Sequence, residues 1–208
     1  KYTFTHTINR FGNPDTLILD PQFKYDLVVN TIPRVELKNI SIKRNIHNTI
    51  NVDAGQGNIK VRFLDATKPY QIDFRVMQSG KPQTLNVQKV NSTEKYLIGT
   101  YDIEILTTPR IYVTTNVEQS NTTNINIKAP GFLKYTSGNL ITGQIFSQND
   151  NGSWDWIANF DPNTKSGNQQ LQPGAYKIVY RQLNLKKSEY TLEKEFRINS
   201  NKTTSVQL

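Results

Sequence analysis

His6 and His47 are the only histidines in a chain of 208 residues that contains no cysteine. A zinc site draws three or four ligands from His, Cys and carboxylates held at close geometry. These two imidazoles stand far apart in sequence, in strand and turn contexts, with no carboxylate cluster beside either. A Ser-His-Asp hydrolase of the α/β type needs a Gly-x-Ser-x-Gly elbow to expose its nucleophile, and the sequence has none. Asn149-Asp150-Asn151-Gly152-Ser153-Trp154-Asp155 sets oxygen ligands around a glycine, as calcium loops do. It lacks the alternating ligands and the closing glutamate of an EF-hand. Its Asn-Gly step instead predicts the tip of a tight hairpin. No catalytic residue, metal site or cofactor is therefore expected, and the chain reads as a protein without enzyme activity.

Trp154 and Trp156, the only two tryptophans, stand two residues apart, so on a strand both face the same side. With Tyr135 and Phe160 they can form an aromatic platform for a sugar ring. The competing expectation is that the pair fills a small core, because each indole buries a large apolar area. Core packing is the stronger reading, and carbohydrate binding through Trp154, Trp156 and Tyr135 is the alternative.

The elements that would position these residues repeat. Tyr25-Asp26-Leu27-Val28-Val29 returns as Tyr101-Asp102-Ile103-Glu104-Ile105 and as Tyr176-Lys177-Ile178-Val179-Tyr180, at steps of 76 and 75 residues. Thr31-Ile32-Pro33-Arg34 and Thr107-Thr108-Pro109-Arg110 hold the same phase. So do the glycines that open Gly57-Asn58-Ile59-Lys60-Val61 and Gly131-Phe132-Leu133-Lys134-Tyr135. Each repeat is expected to close on an Asn/Thr turn and a β-branched strand: Asn48–Val52, Asn121–Ile127 and Asn201–Val206. A fixed period of this size signals an array of structural modules. The expected domains are residues 1–55, short of an opening strand, then 56–130 and 131–208. The junctions, Asp53–Gly57 and Lys128–Gly131, are too short to act as flexible tethers.

Within a repeat the dominant period is two, which predicts half-buried strands. Tyr2, Phe4, His6 and Ile8 share one parity, as do Ile72, Phe74 and Val76, then Leu85 and Val87, then Ile125 and Ile127. Turn clusters such as Ser79-Gly80-Lys81-Pro82 and Gln172-Pro173-Gly174 separate them. Asn-x-Ser/Thr triplets at Asn39, Asn91, Asn121, Asn151 and Asn201 fall in such turns. Leu185–Ile198 has helical composition, but Tyr190, Leu192, Phe196 and Ile198 keep strand parity, so a strand is predicted there. The fold class is all-β: a tandem array of three small antiparallel β-sandwich modules, Ig-like or prealbumin-like.

The recurring tyrosine suits a strand entrance, where its ring packs and its hydroxyl bonds the backbone, as at the tyrosine corner of sandwiches. The Pro-Arg pairs can offer cations to a partner, but a proline ending a strand edge explains them without one. Net charge is +8, spread as +2, +3 and +3 over residues 1–56, 57–130 and 131–208. That even spread is a mildly basic solvated surface, and no nucleic-acid partner is expected. No stretch approaches the roughly 20 apolar residues of a membrane helix, so the chain is not expected to span a membrane. Because it opens on Lys1, a processed form or a fragment is expected, with the parent continuing upstream.

Pro173-Gly174-Ala175-Tyr176-Lys177-Ile178, the strand ending at Ile198 and the Asn201-Lys202-Thr203-Thr204 turn resemble prealbumin-like and PEGA-like modules of bacterial cell-envelope proteins. Tyr25–Pro33 with Asn48–Gly57 resembles the C-terminal repeats that follow a von Willebrand factor A domain in secreted or surface proteins of Bacteroidetes-type bacteria. The metal motif of that domain, Asp-x-Ser-x-Ser, is absent here. The resemblance implies a C-terminal stalk or interaction array and an extracytoplasmic location, whether periplasmic, cell-surface or secreted. The expected function is thus a non-enzymatic structural or protein-interaction stalk, with a protein partner or a neighbouring domain of a longer chain. The alternative is a carbohydrate-binding array.

Overall fold

The computed structural model describes residues 16–208. The parity shared by Tyr2, Phe4, His6 and Ile8 lies outside the described residues. The chain divides into two compact units, Lys1–Ala54 and Gly55–Leu208. Apart from one 3-10 turn at Ser188–Tyr190, every regular element among the described residues is a strand.

In the first unit, β1 (Lys24–Val29) and β2 (Val35–Ser41) form an antiparallel hairpin. Its ladder shifts between Tyr25 and Leu27, where Asn39 adopts φ 61° and donates its N–H to Asp26 Oδ1 at 3.0 Å. The strand expected at Asn48–Val52 is not formed. Its counterparts in the other repeats are held in parallel register by an opening strand, and no such partner occurs among the described residues of this unit. The Asn48 side chain closes a loop instead, accepting from Lys43 N–H at 2.9 Å and donating to the carbonyls of Lys43 and Ile46.

The second unit contains two sets of seven strands. The first set is β3 (Gln56–Phe63), β4 (Asp73–Gln78), β5 (Thr84–Lys89), β6 (Glu94–Leu97), β7 (Gly99–Ile105), β8 (Ile111–Val117) and β9 (Thr122–Ile127). The second is β10 (Gly131–Thr136), β11 (Ile141–Gln148), β12 (Trp154–Asn159), β13 (Ser166–Leu171), β14 (Gly174–Gln182), β15 (Leu192–Ile198) and β16 (Thr203–Gln207). The sheets run β6-β3-β9 with β5-β4-β7-β8, and β13-β10-β16 with β12-β11-β14-β15. The two orders match strand for strand.

The match extends to irregularities. The β4–β5 ladder slips between Val76 and Met77, and the β11–β12 ladder slips between Ile145 and Phe146. Each slip inserts one extra residue, Leu85 or Ile157, as a bulge does. It reverses the facing of the strand beyond it. Leu85 and Val87 therefore do not share a buried face as their spacing predicts: Val87 is exposed and Gln88 is buried. Gln88 is fully used there, donating to the carbonyls of Ile59 and Ser92 and accepting from the Tyr96 hydroxyl.

In residues 131–208 one apolar cluster joins Leu133, Leu171 and Val206 of one sheet to Ile145, Tyr176 and Ile178 of the other. In residues 56–127 the inward residues are Ile59, Val61 and Ile125 against Phe74, Val76, Tyr101 and Ile103. Each such side chain contributes about 2 kcal/mol on leaving water. Gly57 and Gly131 open their strands for a steric reason. A Cβ on Gly57 would run into the Glu118 carbonyl oxygen, and one on Gly131 into that of Asn199.

First and last strands pair in parallel, β3 with β9 and β10 with β16. A chain whose entry and exit strands are parallel leaves its sandwich at the pole opposite its entry. Three residues, Lys128-Ala129-Pro130, then lead into β10.

The region 183–191 corrects an expectation. The strand begins only at Leu192, after a loop and the 3-10 turn, and Tyr190 and Leu192 are exposed while Ile198 is buried. This loop replaces the compact proline turn of the other two repeats.

Candidate functional site

The three frame tyrosines share one local bond. Tyr25, Tyr101 and Tyr176 donate their hydroxyls to the carbonyls of Asp20, Leu97 and Gln172 at 3.0, 2.8 and 2.6 Å. Tyr101 and Tyr176 are almost fully buried, and burial raises both phenols above their ordinary range. These groups stay neutral and structural. The threonine-proline loops repeat as well. Thr31 and Thr107 each donate a hydroxyl to the proline carbonyl two residues on, at 2.7 and 2.6 Å, and both loops carry a cis proline.

The Arg ending the second loop is paired rather than free, although its side chain is half exposed. Arg110 pairs with Glu104, and Arg75 reaches the other oxygen of the same carboxylate at 2.6 Å. Tyr112 donates to Glu104 Oε1 at 3.3 Å. Burial opposes ionisation of Glu104, but the two guanidiniums outweigh it and hold the carboxyl below its usual value. Val28 and Val179 occupy this frame position in the other repeats. That substitution within the repeat was the signal by which the cluster was findable.

The predicted aromatic group is divided. Trp154 and Trp156 lie on β12, an edge strand, opposite Gln148 and Phe146 of β11. They share a face, as their spacing requires. That face is the outer one: Trp156 is 56% exposed, so neither indole fills the core as expected. The core neighbour from this strand is Ile157. Lys177 Nζ stands 5.1 Å from the Trp154 ring centroid and 3.2 Å from Glu193, while Trp156 Nε1–H donates to Asn159. Tyr135 belongs to the other sheet and is buried, its ring 4.3 Å from that of Phe160. The structure therefore brings the tryptophans together with Phe146 and separates Tyr135 and Phe160 from them.

The Asn149–Asp155 segment is a hairpin tip between β11 and β12, with Gly152 at φ 80°. Asn149 Oδ1 accepts from the N–H groups of Asn151 and Ser153, and its amide donates to Asp155. His47 is exposed, and His6 lies outside the described residues. No group of three or more His, Cys, Asp or Glu gathers as for a metal among the described residues. No helix there is long and apolar enough to cross a membrane.

A joint between the two sandwiches was not anticipated. Asn201, in the turn before β16 at φ 60°, donates Nδ2–H to the Asp65 carbonyl at 2.6 Å. Its Oδ1 accepts from Thr67 N–H and from the Tyr70 hydroxyl, both at 3.1 Å. The single Tyr70 hydroxyl proton is shared with the Pro130 carbonyl, also at 3.1 Å, and the ring stacks on Phe132. Lys68 Nζ lies 4.2 Å from the Phe132 ring centroid. Asp65 Oδ1 accepts from Ala129 N–H at 2.7 Å, the main cause of its lowered carboxyl pKa. A second seam joins Gln172 N–H to the Thr108 carbonyl at 2.7 Å. Asparagine was legible as a turn residue; its reach into the preceding loop was not.

No family model matches this chain, and no curated protein matches it. Among solved structures, it is similar to the Bacillus anthracis TIE protein at 16% identity and TM-score 0.28, covering 75% of this chain and 33% of that one. GBS52, the minor pilin of Streptococcus agalactiae, gives 13% identity and TM-score 0.31, covering 73% and 94%. A streptococcal ancillary pilin gives 8% identity and TM-score 0.34, covering 84% and 69%. The chain thus spans about a third of the length of the TIE chain. At these TM-scores the functional reading rests on the chain's own geometry.

Proposed function

We propose that this chain is a non-enzymatic structural or protein-interaction segment of a bacterial cell-envelope or secreted protein, built as successive β-sandwich modules over residues 1–55, 56–130 and 131–208. The observation that supports it is the joint at Asn201. Two sandwiches of the same topology are linked through three residues and fastened by side chains reserved for that contact. A spacer needs such joints, whereas catalysis needs a convergent set of dissimilar groups. Force applied to the two ends of the intact chain tests this reading. Modules of about 75 residues should rupture one at a time, each releasing about 250 Å of chain at the usual extended rise. A single cooperative event, or extension without resistance, would contradict it.

A second reading follows from Trp156. Its exposed ring shares an outer face with Trp154 and Phe146, a surface on which a sugar ring can stack. Titration of the intact chain with neutral oligosaccharides, followed by tryptophan fluorescence, should then give a saturable change that Trp156→Ala abolishes. An unchanged spectrum removes this reading and leaves the spacer reading intact.

A further inference from the structure

The joint carries more than its hydrogen bonds. Beside it lies a cleft of about 250 Å³ whose walls come from both sandwiches. Asp65 and Lys128 line it from the first, and Gly174, Arg197, Asn199 and Ser200 from the second. Lys128 follows β9 and Arg197 stands near the end of β15, so each cation is brought there by a different repeat. Neither pairs with a carboxylate within 4.0 Å among the described residues. The one carboxylate in the cleft, Asp65, accepts from Ala129 N–H at 2.7 Å, and the nearby Lys128 charge helps hold it ionised.

From this arrangement we infer that the cleft between the two sandwiches is a binding site for a carboxylate group, held between Lys128 and Arg197. A guanidinium presents paired donors matched to the two oxygens of a carboxylate, and the lysine adds a second charge from the other sandwich. Asn199 and Ser200 supply polar groups on the same rim. Because its walls belong to different sandwiches, an occupied cleft adds a bridge between them, and a ligand bound only by the assembled joint stabilises it by mass action. This inference requires the joint but not the spacer role: an enzyme or a sugar-binding protein with the same joint would carry the same cleft.

The test uses the intact chain and two probes, succinate and a short glutamate-rich peptide, with binding followed by amide chemical shifts and by Tm. Saturable shifts at Asn199 and Ser200 and a raised Tm are expected with at least one probe. Succinate alone would identify a free small carboxylate as the ligand, and the peptide alone an acidic protein segment. Lys128→Gln and Arg197→Gln each lose a charge-assisted contact, so each should weaken binding about tenfold. Both residues are exposed, and unchanged circular dichroism of the variants separates loss of binding from loss of fold. Neither probe binding at millimolar concentration, or binding that survives the double variant, would overturn the inference.

Discussion

Tyr70 and Asn201 stand 131 residues apart and meet at 3.1 Å, the phenol of one sandwich donating to the side-chain oxygen of the next. Asn201 uses its carbonyl twice and its amide once in the same loop. It does so from a left-handed backbone position that asparagine tolerates better than most residues. Asn201→Gly keeps that backbone accessible and removes the three bonds. The variant should lose about 1–3 kcal/mol of stability, measured by chemical denaturation. Hydrogen exchange at Thr67 should accelerate while that at Ile145 changes little.

The opening glycines provide a second test. Gly57→Ala and Gly131→Ala each drive a methyl into a backbone carbonyl that a rotamer change cannot move. Each should cost about 3 kcal/mol, in the range of overpacked cores. Gly138→Ala, where nothing lies within 4 Å, should be close to neutral in the same denaturation assay.

Glu104 predicts a pH dependence. Its folded pKa lies below its ordinary value, so the stability it contributes is fully present above the unfolded value of about 4.3. That contribution is lost as pH falls through the folded pKa. Glu104→Gln should therefore lower Tm near neutral pH, and its deficit relative to wild type should shrink on acidification below about pH 4. A deficit constant with pH would show that the carboxylate charge is not what Arg75 and Arg110 hold.

Loss of the tyrosine hydroxyl should act alike in the two complete sandwiches. Tyr101→Phe and Tyr176→Phe each remove one bond to a backbone carbonyl, partly buried in the first and buried in the second, worth about 1 kcal/mol. Thermal unfolding of the two variants should show similar losses.

The aromatic residues separate by burial. Tyr135→Ala opens a hole beside Phe160 and should cost about 3 kcal/mol or more. Trp156→Ala, on the outer face, should stay within about 0.5 kcal/mol of wild type. Equal losses would place Trp156 in a core where the structure does not put it.

The period of two made the all-β character readable, and two seven-stranded sets obey the repeat frame. Ile72, Phe74 and Val76 face inward as their alternation predicts. Alternation failed where a bulge intervened: Leu85 and Val87 are two apart, yet Leu85 is the inserted residue and Val87 turns outward. Aromatic size misled at Trp154 and Trp156. Hydrophobic payload favours a core, but pairing opposite Gln148 and Phe146, beyond the slip in the ladder, turned both to the outer face. Glu104 and Asn201 are opposite cases. The first breaks an apolar position within the frame and was detectable; the second is an ordinary turn residue whose partners lie in another repeat, and no local pattern encodes them.

The fixed joint at Asn201 is tested most directly by a distance measurement between the two sandwiches. The chain has no cysteine, so spin labels on Lys81→Cys and Asn151→Cys, at equivalent turn tips, report one distance alone. A joint fastened by Asn201 predicts a single narrow distribution that broadens in Asn201→Gly. A distribution already broad in the otherwise native chain, and unchanged by that substitution, would contradict it.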